Sequence, residues 1–213
     1  MVLTALRHAT MAAILVSCHV PGTTSVRDGA TSVRDGATSV RDDRATSVRL
    51  MAMPAFVLHD TAGATVTFPD DLARTGFTVV VFYAEHCPCF RVHEERLRDL
   101  AAAYRDVTLL LVDSEVAATP ERDALQVAAR GLPPIVLDPG ARLADALGAE
   151  YATYAVVFDA TGRVRYRGGI DDDRNVVHSD ARPWLRDALD DLAAGRVPRR
   201  AEGKALGCAL QKQ

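Results

Sequence analysis

A near-continuous apolar run, Thr78 to Tyr83, ends against Ala84-Glu85-His86-Cys87-Pro88-Cys89, and helical spacing begins directly afterwards. In Phe90 to Leu100 the apolar residues Val92, Leu97 and Leu100 fall on one helical face. Strand, tight turn and helix start are therefore set in that order, with two thiols and a proline at the junction. Proline suits a first helical turn, where its missing N–H costs no internal hydrogen bond. A cysteine at that point meets unpaired N–H groups and the positive end of the helix dipole, both of which favour thiolate over thiol. Thiolate is the reactive form, so the junction reads as a redox site or a soft-metal site.

The chain has 213 residues, enough for one domain with attachments. A hydrophobic content of 48% fills a core, and a net charge of −3 gives no basic footprint for a nucleic-acid partner. No phosphate-binding glycine loop, dinucleotide fingerprint or membrane-length apolar run occurs. The cysteines are Cys18, Cys87, Cys89 and Cys208, too few for a disulfide scaffold in a chain of this length. Their placement has to carry the argument.

Residues 1–18 have the shape of a bacterial export signal: Arg7 and His8 precede a short apolar stretch ending in Leu15-Val16-Ser17-Cys18. That ending resembles a lipobox, whose cysteine receives lipid and becomes the mature N-terminus. Residues 19–53 contain tandem copies of Thr-Ser-Val-Arg-Asp-Gly-Ala, with one large apolar residue per repeat. A coiled-coil seam needs two, so this reads as a solvated linker. A flexible chain of that length has an r.m.s. span of roughly 30 Å, enough to hold a domain off a membrane. The expected location is extracytoplasmic and membrane-anchored. The alternative is a start at Met51 or Met53, which makes the protein cytoplasmic.

Residues 54–213 read as one α/β domain. Phe56 and Phe68 bound a hairpin turning at Gly63, followed by the strand to Tyr83 and a helix to about Tyr104. A strand over Val107–Val112, a helix over Pro120–Arg130 and a strand over Ile135–Leu137 come next. A short helix through Leu147, a second hairpin turning at Asp159-Ala160-Thr161-Gly162 and a closing helix from Pro183 to Ala194 complete it. Such an order implies a mixed sheet flanked by helices, with the site at the carboxyl ends of its parallel strands.

Phe82-Tyr83-Ala84-Glu85-His86-Cys87, the later Phe158-Asp159-Ala160-Thr161-Gly162-Arg163-Val164 and the Gly207-Cys208 tail together resemble the thioredoxin superfamily. Within it the likeness is to redoxins of the AhpC/TSA and TlpA-like kind, over about residues 54–210. The resemblance implies a thioredoxin-like fold with an N-terminal β-hairpin, thiol chemistry at Cys87 and no cofactor. Three departures stand out. One residue, Pro88, separates the thiols where two are usual. Thr153 takes the place of the cis-proline that faces the nucleophile. The buried acid beneath the site falls at Val81, which cannot supply one.

Residues two apart on a helix point about 200° away from each other, so a Cys87–Cys89 bridge requires Cys87 in the turn before the helix. The competing resolving thiol is Cys208, which requires the C-terminal tail to fold back over the site. Cys87 and Cys89 are the expected catalytic pair. His86 is either a helper of the Cys87 thiolate or a capping and packing residue. His93, one turn beyond Cys89, reads as a solvated helix histidine, His178 as a surface-loop residue, and Asp171-Asp172-Asp173 as a solvated charge run. The leading function is thiol–disulfide exchange with protein or small-molecule partners. A thiol peroxidase is the first alternative, although Val80 and Ala84 replace the proline and threonine of the peroxiredoxin pattern. Copper binding of the Sco kind is the second, lacking that group's cysteine spacing and its histidine. No metal ligand is assigned.

Overall fold

In the computed structural model the described residues are 55–72 and 76–212, all within the unit Arg44–Gln213. Cys18, the repeat linker, Met51 and Met53 lie outside them.

Seven strands form one mixed sheet: β1 (Phe56–Asp60), β2 (Thr65–Phe68), β3 (Phe77–Tyr83), β4 (Val107–Asp113), β5 (Ile135–Leu137), β6 (Ala155–Asp159) and β7 (Val164–Gly168). Their spatial order is β2-β1-β5-β4-β3-β6-β7. β3, β4 and β5 are parallel to one another, while β6 pairs antiparallel to β3 and β1 antiparallel to β5. Parallel strands flanked by helices are buried on both faces, which explains why Val79 to Tyr83 is an unbroken apolar run with every side chain buried. The expected elements all form, and the N-terminal hairpin pairs Phe56 with Phe68.

Helix α1 (Pro88–Ala103) buries Phe90, His93, Leu97 and Leu100, a single stripe at helical period. Val92, assigned to that face from sequence, is only half-buried, and His93 occupies the stripe instead. Helix α2 (Pro120–Arg130) has its ends written in the sequence. The Thr119 side chain caps the Arg122 N–H at 3.2 Å, Pro120 opens the first turn, and Gly131 closes it at φ 61°. A short helix α3 (Arg142–Leu147) follows, and α4 (Trp184–Ala193) packs Leu185, Ala188, Leu189 and Leu192 into the core.

The C-terminal tail has little regular structure but is closely held. Near β7, Gly203 donates to the Arg167 carbonyl at 2.8 Å. Farther on, Ala152 donates to the Cys208 carbonyl at 2.8 Å and Leu210 to Glu150 at 3.0 Å. Lys212 ties the end down, donating to Asp145 at 2.8 Å and to Glu150 at 2.9 Å. Among the described residues no helix is long and apolar enough to cross a membrane.

Candidate active site

The parallel pair β3 and β4 ends at Tyr83 opposite Asp113, and the chain turns at once through Ala84-Glu85-His86 into α1. Cys87 is the N-cap of that helix, with extended backbone (φ −78°, ψ 108°), and Pro88 takes the first helical position. This meets the condition for bringing two thiols separated by one residue together. The buried Cys87 Sγ accepts the Phe90 N–H at 3.3 Å, the role a serine or aspartate oxygen usually plays at a cap.

The tail supplies a second donor: the Cys208 N–H points at the same sulfur from 3.4 Å. The sulfurs of Cys87, Cys89 and Cys208 all lie within 4.8 Å of one another, and all three are free thiols. Cys87 and Cys208 line a solvent-open cavity of about 370 Å³ together with His86, Glu115 and Arg122; Cys89 does not line it.

The two neighbours of Cys87 are held in the thiol form. Burial and then the charge on Cys87 push Cys89 above the ordinary range. Cys208 is pushed up to about 12, first by burial, then by its hydrogen bond to Cys87 and the charge there. Two backbone donors, from Phe90 and Cys208, point at Cys87, while a backbone bond from Cys89 to Cys208 works against the rise at Cys208 without cancelling it.

Thr153 lies against the end of β3. Its N–H donates to the Phe82 carbonyl at 2.9 Å, and the Phe82 N–H returns to Tyr154 at 2.9 Å. Its φ of 70° is unusual for a β-branched residue and costs of order 1–3 kcal/mol. These bonds, with the neighbouring Ala152–Cys208 bond, hold residues 152–154 between the strand and the tail. The His86 side chain is 82% exposed, against a packing role; it lines the cavity shared with Cys87 and lies 3.6 Å from Glu85. Glu85 itself is paired with Arg122 and bonded by Gln126 at 2.8 Å.

Two expectations are overturned behind the site. His93 is buried, not solvated: Nδ1 meets the Cys89 carbonyl and Nε2 meets Asp171 Oδ1 at 2.8 Å. Both partners are acceptors, so the ring carries both protons. Burial lowers its pKa, but the hydrogen bonds to Asp171 and Cys89 outweigh that and raise it above the usual value. Nor is Asp171-Asp172-Asp173 solvated as a whole: Asp171 and Asp173 are buried and Arg96 pairs with both. Asp173 also accepts from the backbone and ring of His178, and these bonds hold its carboxyl at about 2 despite its burial. The cause is long-range: the loop after β7 closes over the side of α1, so the acids meet cations far away in sequence.

Sequence reasoning missed a pair of buried acids. Asp113, at the end of β4, and Asp123, in the first turn of α2, are both inaccessible to solvent. Burial drives Asp113 to about 8 and Asp123 to about 6. Asp113 Oδ1 accepts the Glu115 N–H at 2.8 Å, whereas its other oxygen and both of Asp123 are buried with no hydrogen-bond partner among the described residues. The charge of Asp123 adds to the effect of burial at Asp113, so the protonated form is favoured there. The available signal was a carboxylate closing a fully apolar strand.

Residues 51–167 match the AhpC/TSA family, more than half of the chain, and the chain belongs to that family. Its thioredoxin-like fold agrees with solved structures. An uncharacterized conserved protein of Geobacillus kaustophilus is 26% identical with a TM-score of 0.68, over 76% of this chain and 90% of that one. A hypothetical protein of Sinorhizobium meliloti is 25% identical, also with a TM-score of 0.68, over 76% of this chain and 92% of that one. No curated protein matches the sequence.

Proposed function

We propose that this member of the AhpC/TSA family is a thiol–disulfide oxidoreductase in which Cys87 attacks and Cys208 resolves. The supporting observation is the convergence of the Phe90 and Cys208 N–H groups on the buried Cys87 sulfur, with the Cys208 thiol within 4.8 Å. The Cys87 thiolate attacks one sulfur of a partner disulfide, whose second sulfur leaves as thiolate and takes a proton. Cys208 then loses its proton and attacks Cys87 Sγ, releasing the first partner sulfur. The partner gains two electrons as two thiols, and the protein holds a Cys87–Cys208 disulfide. An external dithiol then reduces the Cys87–Cys208 disulfide by the same exchange, leaves as a disulfide, and restores the enzyme.

The electrostatics give the order of events. While Cys87 is charged, that charge and its hydrogen bond help to keep Cys208 protonated. Once Cys87 is bonded to the partner both effects vanish, and Cys208 becomes easier to ionise when it is needed. Sequence favoured Cys89 as the partner thiol. Cys208 is supported instead because it shares the open cavity with Cys87 and avoids the tight ring that a Cys87–Cys89 bridge would close.

The test is turnover of a fluorogenic peptide disulfide with a chemical dithiol as reductant. Cys87→Ser abolishes turnover, Cys208→Ser accumulates a mixed disulfide, and Cys89→Ser continues to resolve it. Full activity in Cys87→Ser overturns the redox reading. Resolution lost in Cys89→Ser and kept in Cys208→Ser overturns only the pairing. The sequence further supports export through residues 1–18, lipidation at Cys18 and tethering by residues 19–53. Metabolic labelling with a palmitate analogue, lost in Cys18→Ala, tests that arrangement. An unlabelled protein starting at Met51 or Met53 refutes it.

A further inference from the structure

A disulfide needs two sulfurs, and here a third lies in the same cluster. We propose that reduced Cys87, Cys89 and Cys208 together form a site for one soft monovalent cation, Cu(I).

The sulfurs come from three different places: the turn before α1, its first turn and the C-terminal tail. With metal–thiolate bonds of about 2.3 Å, a planar three-sulfur site has sulfurs about 4.0 Å apart. The present separations are all within 4.8 Å, so side-chain rotation of less than about 1 Å closes the site.

The donor set selects the ion. All three ligands are thiolates, the softest donors a protein offers. Among the described residues no histidine or carboxylate joins the cluster, so a fourth ligand of the kind that completes a tetrahedral zinc site is missing. His93 is not a ligand, because both its ring nitrogens are engaged, by the Cys89 carbonyl and by Asp171. It acts one shell out, fixing the first turn of α1 and with it the position of Cys89. Cu(I) keeps its charge on binding, and the thiols release their protons to solvent. Because only free thiols are ligands, the site exists in the reduced protein alone and needs no assumption about which thiol resolves a disulfide.

The test uses the full-length chain carrying Cys18→Ser, so that only the cluster supplies thiols. It is reduced, kept anaerobic and titrated with Cu(I) against a chromogenic Cu(I) chelator. One ion per chain is expected, with an X-ray absorption spectrum showing a shell of three sulfurs. Cys89→Ser and Cys208→Ser each give a two-sulfur shell and bind roughly tenfold or more weakly, with an unchanged circular dichroism spectrum. A two-sulfur shell in the parent overturns the proposal, as does an unaltered shell and affinity in Cys89→Ser. Tighter binding of Zn(II) than of Cu(I) overturns the choice of ion. Should Cys208→Ser fail to fold, Cys89→Ser decides the outcome alone, since Cys89 lies outside the tail. Failure of Cu(I) binding leaves disulfide turnover untouched, so the two readings fall separately.

Discussion

Gly207 sets the position of Cys208, and replacing it with alanine should uncouple the tail from the active site. An added Cβ would lie 1.7 Å from the Ala152 carbonyl oxygen and 2.6 Å from its carbon, both backbone atoms that cannot swing aside. Ordinary carbon–oxygen contacts begin near about 3.3 Å, so the tail has to retreat by more than about 1 Å. That stretches the Ala152–Cys208 bond, now 2.8 Å, and the Cys208–Cys87 contact, now 3.4 Å, beyond hydrogen-bonding range. At about 1 kcal/mol each the docked tail loses about 2 kcal/mol, roughly thirtyfold in its population. A single turnover against excess peptide disulfide, quenched with acid and followed by mass spectrometry, separates the steps. Mixed disulfide should form at a rate close to wild type, because the Phe90 N–H still caps Cys87, and decay about thirtyfold more slowly. Decay at the wild-type rate in Gly207→Ala, with the fold intact by circular dichroism, would refute both the clash and the assignment of Cys208.

The remaining predictions concern titration and stability. In Cys87→Ala the Cys208 thiol, pushed up to about 12 in part by Cys87, should alkylate with a lower midpoint than in the parent; an unchanged midpoint removes the proposed charge switch. Asp113 has its folded pKa raised from 3.8 to about 8, so its contribution is whole below 3.8 and is lost as pH rises through 8. Asp113→Asn should therefore gain stability relative to wild type between those limits, and urea unfolding at pH 4 and pH 8 showing a constant difference would contradict it. His93 is also raised, so the stability it adds is complete below its ordinary 6.5 and is lost as pH climbs through its elevated folded value. His93→Gln should cost about 3 kcal/mol at pH 6 and less at pH 9, with a pH-independent loss counting against a charged ring.

Much of the framework could be read from the chain alone because its causes are local. Apolar runs mark β3 and β4, helical spacing marks α4, and Thr119, Pro120 and Gly131 mark the ends of α2, since each signal acts within a few residues. The same locality placed Cys87 at the helix start: a strand that must end and a proline that must open a turn leave little else. The family resemblance came from these stretches too. What the tertiary structure decided depends on residues far apart in sequence. Cys208 reaches Cys87 across 121 positions because Ala152, Glu150 and Asp145 hold the tail, and no periodicity announces such a contact. His93 and Asp171 were read as solvated because a polar residue on a helix or loop usually is. Each instead covers the other's charge inside the fold, where burial without a partner would be prohibitive. At Asp113 and Asp123 the nearby charge of Arg122 is outweighed: burial, a property of the packed molecule rather than of any segment, raises their affinity for protons. Sequence located the nucleophile because the end of a strand is a local event; the sulfurs and charges gathered around it are a consequence of how the chain closes on itself.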